Sequence, residues 1–274
     1  MKKLIPVVFA ALLLLPSGFA QKTADAGFDQ PWNDFNKPLI LDPFWQNHLN
    51  WDALAAELRV KGIIHKATEC GRKCFADRHY LSRKLEGKNR QYLWGSYHLG
   101  RPGIKPELQA DFYLAQAKPS DDEIIALDIE GLDAKKDMSL GNAERFIKRI
   151  KERTGRYPLL YTTGIVVRKI VSSLPPDSIF TKTPIWYARY CDNISCYFPN
   201  KIWKTYTLWQ FASEVNCPTK SEVSDKPCDS GRCPLKKCPL NAPIPGTRFD
   251  MDVNVFNGTI DELRKQWPFT FKEP

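Results

Sequence analysis

Two carboxylates in this chain have the types and spacing that acid–base chemistry needs. Asp128 and Glu130 end an apolar run over residues 123–127, and the period of two along a strand puts both on one face. Two carboxylates that share a partly dry site repel, so one keeps its proton while the other stays ionised. Glycosidic cleavage needs this division, with a proton for the leaving oxygen and negative charge for the cationic sugar. The alternative is a pair on a solvated surface.

Short apolar runs that end in polar or aromatic residues recur along the chain. In a barrel of parallel strands such ends converge on one mouth, where barrel enzymes work. The predicted strands cover residues 38–41, 62–64, 93–97, 123–127, 158–161, 184–188, 207–209 and 249–253. The residues that this pattern places at the mouth include Asp42, His98, Asp128, Glu130, Tyr161, Tyr190, Gln210 and Asp252.

Helical patterns separate most of the predicted strands. Strand–helix alternation predicts a parallel sheet, and eight strands favour a closed α/β barrel over an open sheet. No helical pattern lies between residues 188 and 207 or between residues 210 and 249, so the last strands should lack regular helices. The predicted helices cover residues 51–61, 75–87, 107–118, 142–154 and 165–173, the third with Leu108, Phe112 and Ala115 on one face.

The first 20 residues have the pattern of a secretory signal peptide. Two lysines precede an apolar run that stops at Pro16, and small residues end at Ala20. The alternative, a membrane span, would need a longer run. We therefore expect a signal peptide over 1–20, a polar lead over 21–37 and one barrel domain over 38–274. The formal net charge of +9 suits a secreted or periplasmic protein that is drawn to anionic polymers.

The chain contains eight cysteines, an even number that fits export and disulfide formation. Cys70 and Cys74 form one local pair by spacing, and Cys191 and Cys196 form another. The other four lie in a proline-bearing insertion over 212–248, which reads as a disulfide-stapled loop; disorder and zinc binding by Cys228, Cys233 and Cys238 are the alternatives.

Aromatic residues are frequent near the predicted strand ends, where their faces could pack on the C–H faces of sugars. We expect about half of them to be core residues only. His98 is as well explained by a hydrogen bond in the core as by contact with a substrate. The aromatic residues in question are Trp45, Trp94, Tyr97, Trp186, Tyr187, Tyr190 and Trp209.

Six segments in order resemble motifs of the family 25 glycoside hydrolases, the N,O-diacetylmuramidase type of lysozyme. Together they span residues 39–263, which is nearly all of the expected mature chain. The segments are KATE at 66–69, GSYH at 95–98, LDIE at 127–130, IWYARY at 185–190, LWQF at 208–211 and MDVNVF at 251–256.

The resemblance implies an irregular TIM-like barrel that hydrolyses the β-1,4 bond between N-acetylmuramic acid and N-acetylglucosamine without metal or cofactor. By position, Glu130 matches the proton donor and Asp128 the carboxylate that assists at the sugar carbon. Asp42 and Asp252 match two further acidic residues. The implied substrate-binding residues are Tyr97, Tyr161, Trp186, Tyr190 and Gln210.

Three departures from the family pattern bear on these expectations. The segment after Asp42 is one residue short, Cys70 replaces a glycine, and the 212–248 loop is long enough to alter or block the groove. The expected partner is peptidoglycan, with no nucleic acid, no membrane after signal cleavage and a monomeric chain. The alternatives are a non-catalytic glycan-binding barrel and a loop that binds another protein.

Overall fold

The computed structural model of the chain describes residues 31–175, 177–191, 194, 198–199, 201–217 and 238–270. The predicted signal peptide, most of the lead and residues 218–237 of the insertion lie outside this part. So do Cys196, Cys228 and Cys233, which leaves the predicted pairing of Cys191 with Cys196 outside it as well. None of the described helices combines the length and the apolarity needed to cross a membrane.

Eight strands close into a barrel, which confirms the predicted fold class. Around the barrel the order is β1, β2, β4, β5, β6, β7, β8 and β9, which returns to β1; β3 forms a hairpin with the end of β2. The strands are β1 (Leu39–Leu41), β2 (Val60–Cys70), β3 (Cys74–Ala76), β4 (Leu93–Leu99), β5 (Ile124–Ile129), β6 (Leu159–Thr163), β7 (Ile185–Ala188), β8 (Leu208–Ala212) and β9 (Val253–Phe256).

The last strand corrects the prediction of eight parallel strands. β9 runs antiparallel to both β1 and β8, while the other barrel pairs are parallel. The strand begins at Val253, so Asp252 precedes it. The predicted strand over 249–253 had instead placed Asp252 at its end. Reversal of the strand brings its N-terminal end to the mouth, where the Asp42 backbone N–H donates to the Asp252 carbonyl at 3.3 Å.

Six α-helices accompany the strands. Five of them lie in the connections between β1 and β7. The described residues between β7 and β8 or between β8 and β9 include no α-helix, as predicted. The helices are α1 (Trp51–Leu54), α2 (Tyr80–Asn89), α3 (Pro106–Ala117), α4 (Leu140–Thr154), α5 (Gly164–Ser173) and α6 (Ile260–Gln266).

Two helix predictions were too long because strand pairing takes the residues. The helix predicted over 51–61 stops at Leu54, and Val60 already pairs with Leu39 of β1. The helix predicted over 75–87 starts at Tyr80, because Phe75 pairs with Glu69 in the β2–β3 hairpin.

The buried face of α3 also differs from the prediction. Leu108 is 57% exposed, whereas Ala110, Tyr113 and Ala117 are fully buried at helical spacing. The Tyr113 hydroxyl donates to the Ser96 carbonyl on β4 at 2.8 Å. This buried polar anchor fixes the helix rotation, which an apolar count alone does not capture.

Strand alternation divides the core into two layers. In β5, Ile125, Leu127 and Ile129 face the surrounding helices, whereas Ile124 and Ala126 belong to the barrel interior. Trp267, which follows α6, fills the interior at the end opposite the mouth, with its ring 3.2 Å from where a Cβ on Gly62 would lie. Helix α6 was missed, although Thr259 and Glu262 form the capping box that marks a helix start.

Two disulfides lie within the described part of the chain. The bond between Cys70 and Cys74 confirms the predicted local pair, and a bond between Cys217 and Cys238 closes the insertion. Because Cys238 is held in this way, it is not a zinc ligand together with Cys228 and Cys233.

Candidate active site

A small pocket opens where the strand ends converge. Its cavity volume is about 30 Å³. Carboxylates and aromatic side chains from β1, β4, β5, β6 and β7 and from the start of β9 form its walls, and we call it the acidic pocket. Its lining residues are Asp42, Tyr97, Asp128, Glu130, Tyr161, Trp186 and Asp252.

Asp128 and Glu130 enter the acidic pocket from the same strand end. Asp128 has the same parity as the interior residues Ile124 and Ala126, which directs it into the barrel, and Glu130 follows two residues later. Asp128 is only 4% exposed, and its Oδ1 atom has no hydrogen-bond partner among the described residues. Glu130 lies at the open edge of the pocket and is exposed to solvent.

Burial perturbs both acids of this strand end. It raises the pKa of Asp128 well above the ordinary value, and repulsion from Glu130 raises it further. Partial burial also raises the pKa of Glu130, although Arg101 and Lys66 oppose the increase. Two interacting carboxylates titrate as a pair, so the singly protonated pair persists to a higher pH than ordinary carboxylic acids would allow.

Amide side chains hold the two carboxylates on the opposite wall. Gln210 Nε2 donates to Asp42 Oδ2 at 3.0 Å and to Asp252 Oδ2 at 3.2 Å. Asn254 Nδ2 donates to Asp42 Oδ1 and to the Ile40 carbonyl. Burial nevertheless raises the pKa of Asp42 and of Asp252 well above the ordinary value.

The amide that contacts both carboxylates also anchors two tyrosines. Gln210 Oε1 accepts hydrogen bonds from the Tyr161 hydroxyl at 2.9 Å and from the Tyr190 hydroxyl at 2.7 Å. Tyr190 therefore reaches the site through Gln210. The Trp186 indole donates to Asn254 Oδ1 and packs edge-on against Tyr161, with ring centroids 4.7 Å apart. This network fixes the aromatic walls of the pocket.

Sequence reasoning missed two cations, Lys66 and Arg101, that act on Asp128 and Glu130. Lys66 Nζ donates to Glu69 Oε2, and Arg101 Nε donates to Glu69 Oε1 at 2.9 Å. Although partial burial opposes it, these two hydrogen bonds lower the pKa of Glu69. Lys66 and Glu69 were visible as the charged ends of a resembled motif, but only the β2–β4 pairing puts them next to Arg101.

Glu214 is a further acid that the sequence did not single out. It follows β8, and its carboxyl group raises the pKa of Asp252 and of Asp42. Its position six residues after Leu208, beyond the strand, offered no periodic signal.

Several aromatic and histidine candidates lie elsewhere. His98 is fully buried, and its ring nitrogens form hydrogen bonds with the Thr68 hydroxyl and with Gln109 Oε1. Burial lowers the pKa of His98 to about 4. Trp94 and Trp209 belong to the core outside the barrel. Trp45 lies in a neighbouring pocket, where the Arg78 guanidinium stacks 4.1 Å from its ring centroid.

Taken together, the geometry places Asp128 and Glu130 on one wall, an amide-held acidic wall opposite and aromatic side chains between them. Such an arrangement suits the cleavage of sugars by paired carboxylates. Among the described residues, no group of three or more His, Cys, Asp or Glu side chains is arranged to hold a metal ion.

A barrel with such a mouth defines a carbohydrate-hydrolase class of protein, and comparison with known proteins gives the family. The model of glycosyl hydrolases family 25 matches residues 44–219. The chain therefore belongs to this family and is a glycoside hydrolase of the lysozyme kind. The match includes Asp128 and Glu130, while Asp42 and Asp252 lie beyond its two ends.

Relatives of known sequence are distant. The chain is 26% identical over 229 residues to the uncharacterized protein YegX of Escherichia coli O6:H1, a match that covers 80% of this chain and 69% of that protein. It is 24% identical over 172 residues to an N,O-diacetylmuramidase of Arthroderma benhamiae, covering 59% of this chain and 71% of that protein.

Solved structures share the fold. The bacterial lysozyme from Streptomyces coelicolor superimposes with a TM-score of 0.61 at 21% identity, over 84% of this chain and 96% of that chain. At this identity the likeness concerns the barrel itself, and the roles of individual side chains rest on the geometry above.

Proposed function

We propose that this protein is a secreted muramidase that hydrolyses the β-1,4 bond between N-acetylmuramic acid and N-acetylglucosamine in peptidoglycan. The observation that carries the proposal is that Asp128 and Glu130 share the acidic pocket at the mouth of the barrel. Family membership and the muramidase among the relatives support the substrate class.

In this proposal Glu130 is the proton donor. Its exposed position at the pocket edge lets a leaving sugar approach, and the pair that it forms with Asp128 keeps one proton at a pH where ordinary carboxylic acids are ionised. The proton moves to the glycosidic oxygen as the bond from that oxygen to the sugar carbon breaks. When water later adds to this carbon, Glu130 takes a proton back and the cycle closes.

Asp128 acts in its ionised form beneath the reacting sugar. The free Oδ1 atom can attack the sugar carbon or orient the acetamido oxygen of the substrate, and both routes need the negative charge. Lys66 and Arg101 favour that charge against the cost of burial. A low-dielectric pocket strengthens the interaction of the carboxylate with a developing cation.

Asp42, Asp252 and the aromatic walls position the substrate. Tyr97, Tyr161 and Trp186 offer ring faces and edges of the kind that pack on sugars, and the bonds through Gln210 hold their acidic neighbours still. Secretion to an oxidising compartment is supported by the two disulfides.

Mass spectrometry of fragments released from purified peptidoglycan tests the proposal. After borohydride reduction, the wild-type products should carry reduced muramic acid at their new ends, and Glu130→Gln should release at least about a hundredfold less. Reduced glucosamine ends would show that the wrong bond has been assigned. Retention on insoluble peptidoglycan without any new reducing end would instead show a non-catalytic glycan-binding barrel.

A further inference from the structure

A second cleft opens near the acidic pocket, and four of its nine lining residues are lysines or arginines. Its cavity volume is about 640 Å³, whereas that of the acidic pocket is about 30 Å³. The turn between β2 and β3, the segment after β4 and the segment after β5 form its walls. We call it the basic cleft and define it by Glu69, Arg72, Arg101, Lys135 and Lys136.

The single carboxylate in the basic cleft is already neutralised. Glu69 accepts hydrogen bonds from Lys66 and Arg101, so it does not balance the other cations. Within the described residues, Arg72 and Lys135 have no carboxylate within ion-pair distance, and Lys136 has only Asp133 at 3.9 Å. The cleft therefore has a positive charge that its own side chains leave available.

The walls of the basic cleft are fixed by covalent and hydrogen bonds. The Cys70–Cys74 disulfide closes the turn that carries Arg72. The Arg101 carbonyl accepts from Gln109 Nε2 at 2.8 Å, while Arg101 Nη1 donates to the Lys136 carbonyl at 3.3 Å. Arg72, Arg101 and Lys136 thus belong to three segments that are tied to one frame.

The basic cleft lies near the site of the proposed chemistry, and the segments after β4 and β5 connect the two. Arg101 lines the cleft and is close enough to Asp128 and Glu130 to lower the pKa of each by its charge. The same segment that leaves the acidic pocket at Glu130 reaches the cleft at Lys135. A group attached to a sugar in the acidic pocket would therefore extend over Arg101 into the cleft.

We propose that the basic cleft binds the carboxylates of the acidic peptide stems that hang from the glycan strand. This inference rests on the proposed function, because the stem reaches the cleft only when its sugar occupies the acidic pocket. The volume is in the range of sites that enclose small ligands, and guanidinium and ammonium groups are the usual partners of carboxylates. The short segment from Glu130 in the acidic pocket to Lys135 in the cleft favours a ligand joined to the substrate over a free phosphate-rich wall polymer.

Stem binding should act on affinity and leave the chemical step unchanged. The cations of the cleft contact a part of the substrate that does not react, so they stabilise the ground state and the transition state alike. Loss of these contacts raises KM while kcat stays constant. Since the contacts are partly exposed, salt should weaken them.

The test compares a triple variant with a matched control. The variant Arg72→Gln/Lys135→Gln/Lys136→Gln removes three charges from the cleft, and Lys148→Gln/Lys169→Gln/Lys265→Gln removes three from the exposed faces of α4, α5 and α6. Each protein receives a muroglycan tetrasaccharide with free stem carboxylates and the same tetrasaccharide with those carboxylates amidated. Thermal unfolding checks that both variants fold, and calorimetry measures binding separately from cleavage.

We expect the triple variant to raise KM about tenfold on the acidic tetrasaccharide, with kcat unchanged, and less than about twofold on the amidated one. The control variant should differ from wild type by less than about twofold on both. An equal rise on the two tetrasaccharides overturns the proposal, as does cleft-dependent binding of purified teichoic acid without any effect of stem charge. If wild type cleaves neither substrate, the proposed function fails, and the calorimetric comparison still decides whether the cleft binds stem carboxylates.

Discussion

The two pairs of carboxylates in the acidic pocket are held in different ways. Asp42 and Asp252, the amide-bound pair, accept hydrogen bonds from Gln210, and Asp42 accepts another from Asn254. Asp128 and Glu130, the cation-facing pair, have charged neighbours at a distance, and Asp128 Oδ1 has no hydrogen-bond donor among the described residues.

This difference separates a frame from a reacting group. Asp42, which both amides hold, keeps its place with both oxygens already accepting hydrogen bonds, whereas Asp252 accepts from Gln210 alone and its Oδ1 atom has no donor among the described residues. A buried carboxylate oxygen without a donor is costly for the folded state, and such costs are concentrated at functional sites. The cation-facing pair should therefore carry the chemistry, while the amide-bound pair should set the shape of the pocket.

Neutral variants of the cation-facing pair should have the largest effect. Asp128→Asn and Glu130→Gln should each reduce kcat by about 10²–10⁴-fold, because each removes a group that exchanges a proton or stabilises charge in the transition state. Asp252→Asn, the matched change in the amide-bound pair, should reduce kcat by about tenfold or less. Initial rates on soluble glycan strands measure all three, and equal losses would contradict the division.

Loss of the amide that holds Asp42 should mainly affect stability. Asn254→Ala leaves Asp42, the Ile40 carbonyl and the Trp186 indole without their partner. An unsatisfied buried group costs about 1–3 kcal/mol, so the free energy of unfolding should fall by about 3 kcal/mol. Urea denaturation measures it, with the half-exposed Asn257→Ala as the control; similar values for the two variants would show that the amide-bound pair needs no support.

Asp128→Asn should stabilise the protein while it inactivates it. Burial raises the pKa of Asp128 in the folded state, so its contribution to stability is present below the ordinary carboxyl pKa and is lost as pH rises through the raised value. The variant lacks this loss. Its free energy of unfolding should exceed that of wild type by about 0.5–2 kcal/mol at neutral pH and by less near pH 4.

Thermal unfolding of both proteins across this pH range measures the difference. Asp42 and Asp252 titrate in both proteins, so their contributions cancel. A stability advantage that grows as pH falls would mean that Asp128 is ionised and stabilised in the folded protein, contrary to the proposed cost of its burial.

The smallest expected effect concerns the cation next to the pair. Arg101 lowers the pKa of Asp128 and of Glu130 by its positive charge. Arg101→Gln should therefore move both limbs of the kcat/KM profile to higher pH, by about half a pH unit. Arg145→Gln, which removes an exposed guanidinium far from the pocket, is the control. A shift to lower pH would show that Arg101 does not act on the pair through charge.

The sequence predicted the elements that depend on local periodicity. The strand alternation that put Asp128 and Glu130 on one face holds. The barrel is confirmed, and the described residues of its last two connections include no α-helix. The family resemblance is also confirmed by the match to the family model. Its motifs consist of residues whose positions the same strands fix. Helices α4 and α5 begin within two residues of the predicted starts.

The missed features depend on contacts between distant segments. The reversal of β9 is set by pairing with β1 and β8, and the residue pattern of so short a strand does not indicate its direction. Arg101 lies near Glu130 because β4 and β5 are adjacent, and the basic cleft needs three segments at once. The rotation of α3 depends on one buried tyrosine hydroxyl, which weighs less than three apolar residues in a pattern count.

The most direct test of the central claim varies the leaving group of the substrate. A general acid matters when the leaving group is a poor one, and it is dispensable when the leaving group departs without a proton. Glu130→Gln should lose at least about a hundredfold in kcat on an unactivated muroglycan oligosaccharide and less than about tenfold on its dinitrophenyl glycoside. Equal losses on the two substrates would contradict the role of Glu130 as the proton donor of the cation-facing pair.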